Sequence, residues 1–289
     1  MSREGLLRRL ARRAGKEGAA LHQAAAIARG ADGPRAAATM FAAGMAHATP
    51  TRWGSRVLHG LGVARLRLHP RRLDGYELSV NPSDSGHTCV VEEFFVPPVA
   101  CDLALVAFEP AAIIDCGAHI GVFTLLARRR FPSAAITAFE PNPANVEWLR
   151  ENLRRNGAIG VDLVPAAVST RDGRAAFQFT PDVSDSGRLT EPGPPPASGT
   201  TDVDVVDLPA FVRRLAPASL LLKIDIEGEE ERLVPALLPV LPRRCAIFFE
   251  THRGGAGWDV VDRVLVAGAF SVRPLRERDV FRDGFAVRL

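Results

Sequence analysis

Ile113-Ile114-Asp115-Cys116-Gly117-Ala118-His119-Ile120-Gly121-Val122-Phe123 is the stretch on which the fold turns. An apolar run ends on an acid, and two glycines then bracket the entry to an amphipathic segment. That pattern reads as a buried strand bending sharply into a helix. The missing Cβ atoms allow the backbone to approach a ligand closely. Outward from it, further apolar runs lie at Ala135–Glu140, Val161–Val164, Leu220–Asp225 and Ala246–Thr251, beside the first run at Ala112–Asp115. Helical stretches separate them, at roughly 120–130, 143–156, 229–240 and 258–267. Strands apolar on both faces belong in a parallel sheet covered by helices on each side. Ala269–Leu275 and Gly284–Leu289 read as a closing pair of strands. The expected fold class is therefore α/β, an open doubly wound sheet, mostly parallel, with an antiparallel C-terminal strand.

The chain has 289 residues, 47% hydrophobic and 24% charged, as in an ordinary globular protein. It has no apolar run long enough for a membrane span, and its charged N-terminus lacks the apolar core of a secretory signal. Cys89, Cys101, Cys116 and Cys245 are too scattered for a zinc ribbon or a disulfide framework. A soluble, cytoplasmic protein is expected. Residues 1–72 hold 14 Lys+Arg against 3 Asp+Glu, and residues 73–289 hold 22 against 30. The chain is thus +11 and then −8, which gives the net charge of +3.

The domain boundary is placed where the charge changes. Residues 1–72 form a basic, mainly helical N-terminal extension, and residues 73–289 form the main domain. In the extension, two helices break around Arg29–Pro34, and Leu6, Leu7, Leu10 and Ala14 fall at helical spacing. Alternation at Ala64–His69 and Tyr76–Val80 predicts two strands joined by a turn at Asp74-Gly75, and Thr88–Phe95 reads as a helix. Pro181–Thr201 lacks periodicity and is rich in Pro, Gly and Ser, which predicts a surface loop.

Doubly wound sheets bind ligands at the carboxyl ends of their strands, beside the point where strand order reverses. Glu140 ends the second strand, about 20 residues past the glycine turn, where an acid accepts hydrogen bonds from ribose hydroxyls. A glycine turn followed by such an acid indicates an adenosine cofactor. The dinucleotide pattern G-x-G-x-x-G is absent, because the turn reads G-A-H-I-G. Asp115, just before it, would repel a pyrophosphate and suit a cation. That favours S-adenosylmethionine, which carries a sulfonium and an ammonium.

A second cluster ends the later strands. In Leu220-Leu221-Leu222-Lys223-Ile224-Asp225-Ile226-Glu227-Gly228-Glu229-Glu230, period two puts Lys223, Asp225 and Glu227 on one face. Glu250 and His252 share a face in the same way. Charges on buried strands are costly unless paired or functional. Lys223, one of only two lysines, reads as a partner fixing Asp225 or Glu250. Asp225 and His252 read as functional tips.

In order, DCGAHIGVFTLLA, AFEPNPANVEWLRENLRRN, PAAVS, LLKIDIEGEEERLV and FFETH resemble the FkbM-type S-adenosylmethionine-dependent methyltransferases over roughly residues 75–270. LKIDIEGEE is the most distinctive stretch and FEPNP the next. The resemblance implies the class I methyltransferase sheet and methylation of hydroxyls on sugars or polyketide-type natural products. It implies that Asp115, Gly117, Ala118, His119 and Gly121 line the methionine end. Glu140 and Pro141 would hold the ribose side, Ala167 and Val168 would border the adenine, and Glu93 would meet the methionine ammonium. His119 departs from the family's usual Asn.

Methyl transfer to a hydroxyl needs positioning, desolvation and a group to take the proton. His252 is the first candidate, as an imidazole titrating near neutrality. Asp225 is the second, with Glu227 and Glu250 as orienters. Asp225, Glu250 and His252 would also suit Mg²⁺ or Mn²⁺, but the preferred reading of the site is without a metal. The expected partner is a small-molecule acceptor. N-methylation of a small molecule is the alternative within the same fold. Nucleic-acid methylation through the basic arm is disfavoured, since Phe41 and Trp53 are that arm's only aromatics and the body is acidic. The basic extension is read instead as packing against the acidic body.

Overall fold

The computed structural model describes residue 38 and residues 64–67, 77–81, 84–95, 100–180, 183–190, 199–252, 254–277 and 281–289. The expected N-terminal helices and the Asp74-Gly75 turn lie outside the described residues. The chain divides into two units, Met1–Pro97 and Pro98–Leu289.

In the first unit, β1 (Ala64–Arg67) pairs antiparallel with β2 (Glu77–Val80), as their alternation predicts. Helix α1 (Ser85–Phe95) follows. It begins three residues before the expected start, because Asp84 Oδ1 accepts a hydrogen bond from Gly86 N at 2.9 Å and opens the helix there. Glu93 lies on α1, half-buried.

The second unit is built on a seven-stranded sheet. Its strands are β3 (Ala112–Cys116), β4 (Ala135–Phe139), β5 (Val161–Val164), β10 (Ser219–Ile224), β11 (Arg244–Thr251), β12 (Ser271–Glu277) and β13 (Arg282–Arg288). The order is β12-β13-β11-β10-β3-β4-β5. The five strands from β11 to β5 run parallel, and β13 is antiparallel to both β11 and β12. The chain builds β3, β4 and β5 in one direction, then returns to add β10 and β11 on the other side of β3. The order therefore reverses between β3 and β10.

Alternation divides the sheet's two faces. Ile114, Leu222, Ile247 and Phe249 pack in one cluster with Leu208 and Val212 of α4 (Leu208–Leu215), Leu233 and Leu237 of α5 (Glu230–Leu237), and Val261 and Leu265 of α6 (Gly254–Ala267). On the other face, Phe248 meets Phe123 of α2 (Val122–Arg130) edge-on, and its ring centroid lies 4.9 Å from that of Phe285. Helix α3 (Pro143–Arg155) buries Val146 and Leu149. Asn142 caps it by accepting from Ala144 N. Among the described residues no helix is long and apolar enough to cross a membrane.

A second sheet, of order β6-β9-β7-β8, has no counterpart in the sequence reading. It consists of β6 (Ala166–Ser169), β7 (Gly173–Thr180), β8 (Val183–Thr190) and β9 (Thr200–Asp207). Its small core holds Ala167, Phe177, Val203 and Val205. The expected loop at 181–201 is corrected here, since Val183–Thr190 pairs antiparallel with β7. The segment shows little apolar period of its own, but Gly187 makes room for the Phe177 ring. A Cβ on Gly187 would lie 2.2 Å from Phe177 Cζ. The signal for this strand is thus on its partner.

The core of the first sheet depends on one glycine as well. A Cβ on Gly284 would lie 2.4 Å from Phe249 Cζ and 2.7 Å from Trp258 Cζ3, and both rings are buried. Gly284→Ala should therefore destabilise the protein by about 1–3 kcal/mol through overpacking. Thermal denaturation checks this, and an unchanged midpoint would mean that the rings shift freely.

Candidate active site

The glycine turn after β3 is held by the neighbouring strand. Gly117 N and Ala118 N both donate to Phe139 O, at 3.0 and 2.9 Å. Gly117 and Gly121 have φ of 77° and 91°, in the left-handed region that glycine enters without strain. Space requires them too. A Cβ on Gly117 would sit 1.9 Å from Asp225 O, and one on Gly121 would sit 2.3 Å from Leu149 Cδ1. The turn lies at the reversal point between β3 and β10, so its backbone abuts the end of β10.

Glu140 organises the other side of the turn. Its Oε2 accepts from His119 N at 2.8 Å, and its Oε1 accepts from Asn142 N at 2.9 Å and Asn145 Nδ2 at 3.2 Å. Burial pushes its carboxyl up to about 7, although the three N–H donors favour the ionised form. His119 takes φ of 52°, which His, like Asn, tolerates better than most side chains. Its ring Nε2 lies 2.8 Å from Ser184 Oγ, and Ser184 O accepts from Asn145 Nδ2. The start of β8, inside the segment read as a loop, thus braces both the turn and the Glu140 network.

Beneath the turn lies a buried charge network. Asp115 is fully buried; its Oδ2 accepts from Thr124 Oγ1 at 2.5 Å and its Oδ1 lies 3.6 Å from Lys223 Nζ. Burial raises the Asp115 carboxyl above its ordinary value, with Lys223 opposing. Lys223 Nζ donates to Gly117 O at 2.8 Å and lies 3.2 Å from Asp225 Oδ2. Burial would lower this lysine's pKa, but Asp225 and Asp115 outweigh it and hold the ammonium charged. Of the two partners the sequence reading offered Lys223, Asp225 or Glu250, the ion pair is with Asp225.

The second cluster converges on His252, at the end of β11. Its Nδ1 lies 3.0 Å from Glu230 Oε1. Its Nε2 lies 2.9 Å from Glu250 Oε1, 3.3 Å from Glu227 Oε2 and 3.9 Å from Asp225 Oδ1. These three are close charge contacts, because no carboxylate lies in line for a hydrogen bond to Nε2. Glu227 reaches the ring through a left-handed backbone, φ 57°, followed by Gly228 at 109°. The expectation of an imidazole titrating near neutrality is corrected. Burial opposes the charged ring, but Glu227, Glu230 and Glu250 outweigh it and push its pKa well above the ordinary value. Asp225 is held below the usual carboxylate range, since Lys223 and His252 overcome its burial, while burial and repulsion from Asp225 push Glu250 up.

The structure brings Gly117, Ala118, His119, Gly121 and Glu140 together, and likewise Asp225, Glu227, Glu250 and His252. Pro141 follows Glu140 and is partly exposed. Val168 belongs to the main core and Ala167 to the core of the second sheet. Glu93 lies in the other unit. Two residues escaped the sequence reading. Glu230 is 1% exposed and accepts from Ile226 N and Gly228 N while holding His252. An acid two residues after a strand-end glycine, in the first turn of a helix, was its available signal. Arg276 lies 3.8 Å from Glu250 Oε2 and bonds Asp283, and nothing in its local sequence marks it.

A seven-stranded sheet with one antiparallel strand, and a glycine turn and strand-end acids at its reversal point, defines the class I methyltransferase architecture. The chain belongs to the FkbM methyltransferase family. The Methyltransferase FkbM domain matches residues 115–266, just over half of the chain. It is 26% identical over 176 residues to Methyltransferase 1 of Beauveria bassiana (strain ARSEF 2860), covering 55% of this chain and 64% of that one. It is 36% identical over 78 residues to Methyltransferase sdnD of Sordaria araneosa, covering 27% and 30%. The chain thus spans less than two thirds of these relatives' own length. Among solved structures, methyltransferase FkbM from Methylobacillus flagellatus KT is 15% identical over 92% of this chain and 58% of that chain, with a TM-score of 0.46. Precorrin-6y C5,15-methyltransferase from Geobacter metallireducens GS-15 is 16% identical over 64% and 85%, with a TM-score of 0.40. These two likenesses add nothing to the strand order already described.

Two predictions test the turn. Gly117→Ala should destabilise far more than Gly157→Ala. Both glycines have positive φ, but a Cβ at Gly157 meets nothing within 4 Å, so only the strain of about 1 kcal/mol applies there. Equal melting temperatures would show that Asp225 O yields. For Glu140, the folded carboxyl keeps its proton up to about 7, whereas an unfolded one loses it near its ordinary 4.5. The folded state therefore binds more protons in that window, and its stability falls as pH rises through it. Urea midpoints across the window should show this fall in the wild type and not in Glu140→Gln.

Proposed function

We propose that this chain is an S-adenosylmethionine-dependent O-methyltransferase acting on a hydroxyl of a small molecule, of the sugar or polyketide type. The observation that carries the reading is the junction at Gly117. The turn that would cradle the methionine end touches Asp225 O where a Cβ would be, and Lys223 bonds Gly117 O and pairs with Asp225. That contact supports a reading in which methyl donor and acceptor meet at one point of the sheet.

The residues present suit such a cofactor. Gly117 and Gly121 give the turn after β3 its left-handed bends at the reversal point, and Glu140 stands at the strand end where ribose hydroxyls need an acceptor. When bound, the cofactor supplies an electrophilic methyl group on a sulfonium. The chain holds the acceptor oxygen in line, excludes water and receives the proton that the hydroxyl loses as the oxygen–methyl bond forms and the sulfur–methyl bond breaks. Asp225 is the proposed proton acceptor, being nearest the turn. Glu227 and Glu250 orient the acceptor, and His252 is the hub that keeps the carboxylates converged. Ala167 and Val168 at the adenine complete the proposed cofactor site within the second unit.

His252→Ala and Asp225→Asn should each lose methyl transfer by about 10²-fold or more while still binding S-adenosylhomocysteine like the wild type. Glu140→Ala should lose that binding. Transfer of tritiated methyl groups to a panel of hydroxylated sugars and polyketide alcohols, with calorimetry for binding, measures both. Near-normal transfer by His252→Ala would remove the cluster from the mechanism.

A further inference from the structure

We infer that Asp225, Glu227 and His252 form a binding site for a divalent metal ion of the Mn²⁺ or Mg²⁺ type, with Glu230 as the residue that positions the histidine. This goes beyond the methyl-transfer reading and does not depend on it.

The ligand atoms have the spacing a shared ion requires. Nitrogen and oxygen ligands about 2.1 Å from a metal stand about 3.0–4.3 Å from one another. Here His252 Nε2 is 3.3 Å from Glu227 Oε2 and 3.9 Å from Asp225 Oδ1, and one atom of each residue falls within 4.8 Å of the other two. One imidazole with two carboxylates suits a first-row divalent ion or magnesium better than a soft metal.

The histidine is set up as a ligand. Glu230 Oε1 accepts from Ile226 N and Gly228 N and faces His252 Nδ1. An acceptor-only carboxylate there fixes the proton on Nδ1 and aims Nε2 at the cluster, the orientation that metal-binding histidines take from their second neighbours. The surrounding oxygens flank Nε2, and none lies in line with it as the partner of a charged imidazolium would. The backbone adds its own indication, since Glu227 takes a left-handed conformation to place its carboxylate against the ring.

Charge points the same way. Among the described residues, Asp115, Asp225, Glu227, Glu230, Glu250 and Asp283 gather in this network with Lys223 and Arg276, an acidic setting that suits a cation. Each of those cations is already shared with a carboxylate outside the trio, Asp115 for Lys223 and Asp283 for Arg276.

The test titrates MnCl₂ into the purified full chain, stripped with chelator, and follows loss of the free Mn²⁺ signal by electron paramagnetic resonance. One ion per chain is expected. Binding should weaken at least tenfold in Asp225→Asn and in Glu227→Gln, the latter at a half-exposed position that disturbs the fold least. Glu230→Gln should weaken it less, and restoring the acid as Glu230→Asp should recover part of the loss. Circular dichroism and S-adenosylhomocysteine binding, read in parallel, confirm that the variants fold. Absence of stoichiometric Mn²⁺ uptake by the wild type, or uptake unchanged in both Asp225→Asn and Glu227→Gln, overturns the site and leaves His252 as an imidazolium in a carboxylate cage. Mn²⁺ uptake with no methyl transfer to any hydroxyl would count against the proposed reaction and not against the ion site.

Discussion

Lys223 sits in the middle of the sheet, 5% exposed, and its ammonium touches three things at once: Gly117 O, Asp115 and Asp225. An ammonium in such a place survives only because carboxylates on both sides repay its desolvation, and removing one partner of a buried pair costs about 3–5 kcal/mol. The same contact fixes the geometry of the site. The lysine belongs to β10, the turn carbonyl to the end of β3, and the two strands meet at the reversal of strand order. The glycine turn after β3 is thereby tied to the strand-end carboxylates of β10 through one nitrogen. The depressed pKa of Asp225 follows from that nitrogen, with His252 adding to it.

Much of this was legible in the sequence, because the central strands are apolar on both faces and end on charges. Ala112–Asp115 ends one residue short of β3 and Leu220–Asp225 is offset from β10 by one residue at each end, and the glycine turn lies where the two strands part. The second sheet was not legible. β8 has few apolar residues, and what makes it a strand is the Phe177 ring filling the space above Gly187. Glu230 was hidden for a related reason, since its role comes from two backbone N–H groups and an imidazole twenty-two residues away. The protonation of His252 was misjudged because three carboxylates, from β11 and from the segment that opens α5, meet there only in the folded chain. Period two identifies which residues share a face; it does not say how closely they approach.

The acidic excess of residues 73–289 finds its explanation in these contacts. Asp115, Glu140, Glu230 and Asp283 are all buried, with partners that hold them in place. Such acids contribute little to the charge a distant macromolecule would sense. Their field acts inward, on the glycine turn and the strand-end cluster.

The position of β13 bears on how this chain reaches its fold. It follows β12 in the chain yet lies between β12 and β11 in the sheet. Until β13 arrives, the outer edge of β11 is unpaired, and that edge carries Ala246, Ile247, Phe248 and Phe249 in succession. A nascent chain that has made β11 but not β13 therefore exposes a bare apolar edge of the kind that templates intermolecular pairing. Helix α6 and β12 are both synthesised during that interval, so the length of the excursion sets how long that edge stays unpaired. The strand that completes the sheet is also the one that ends its risk of aggregation.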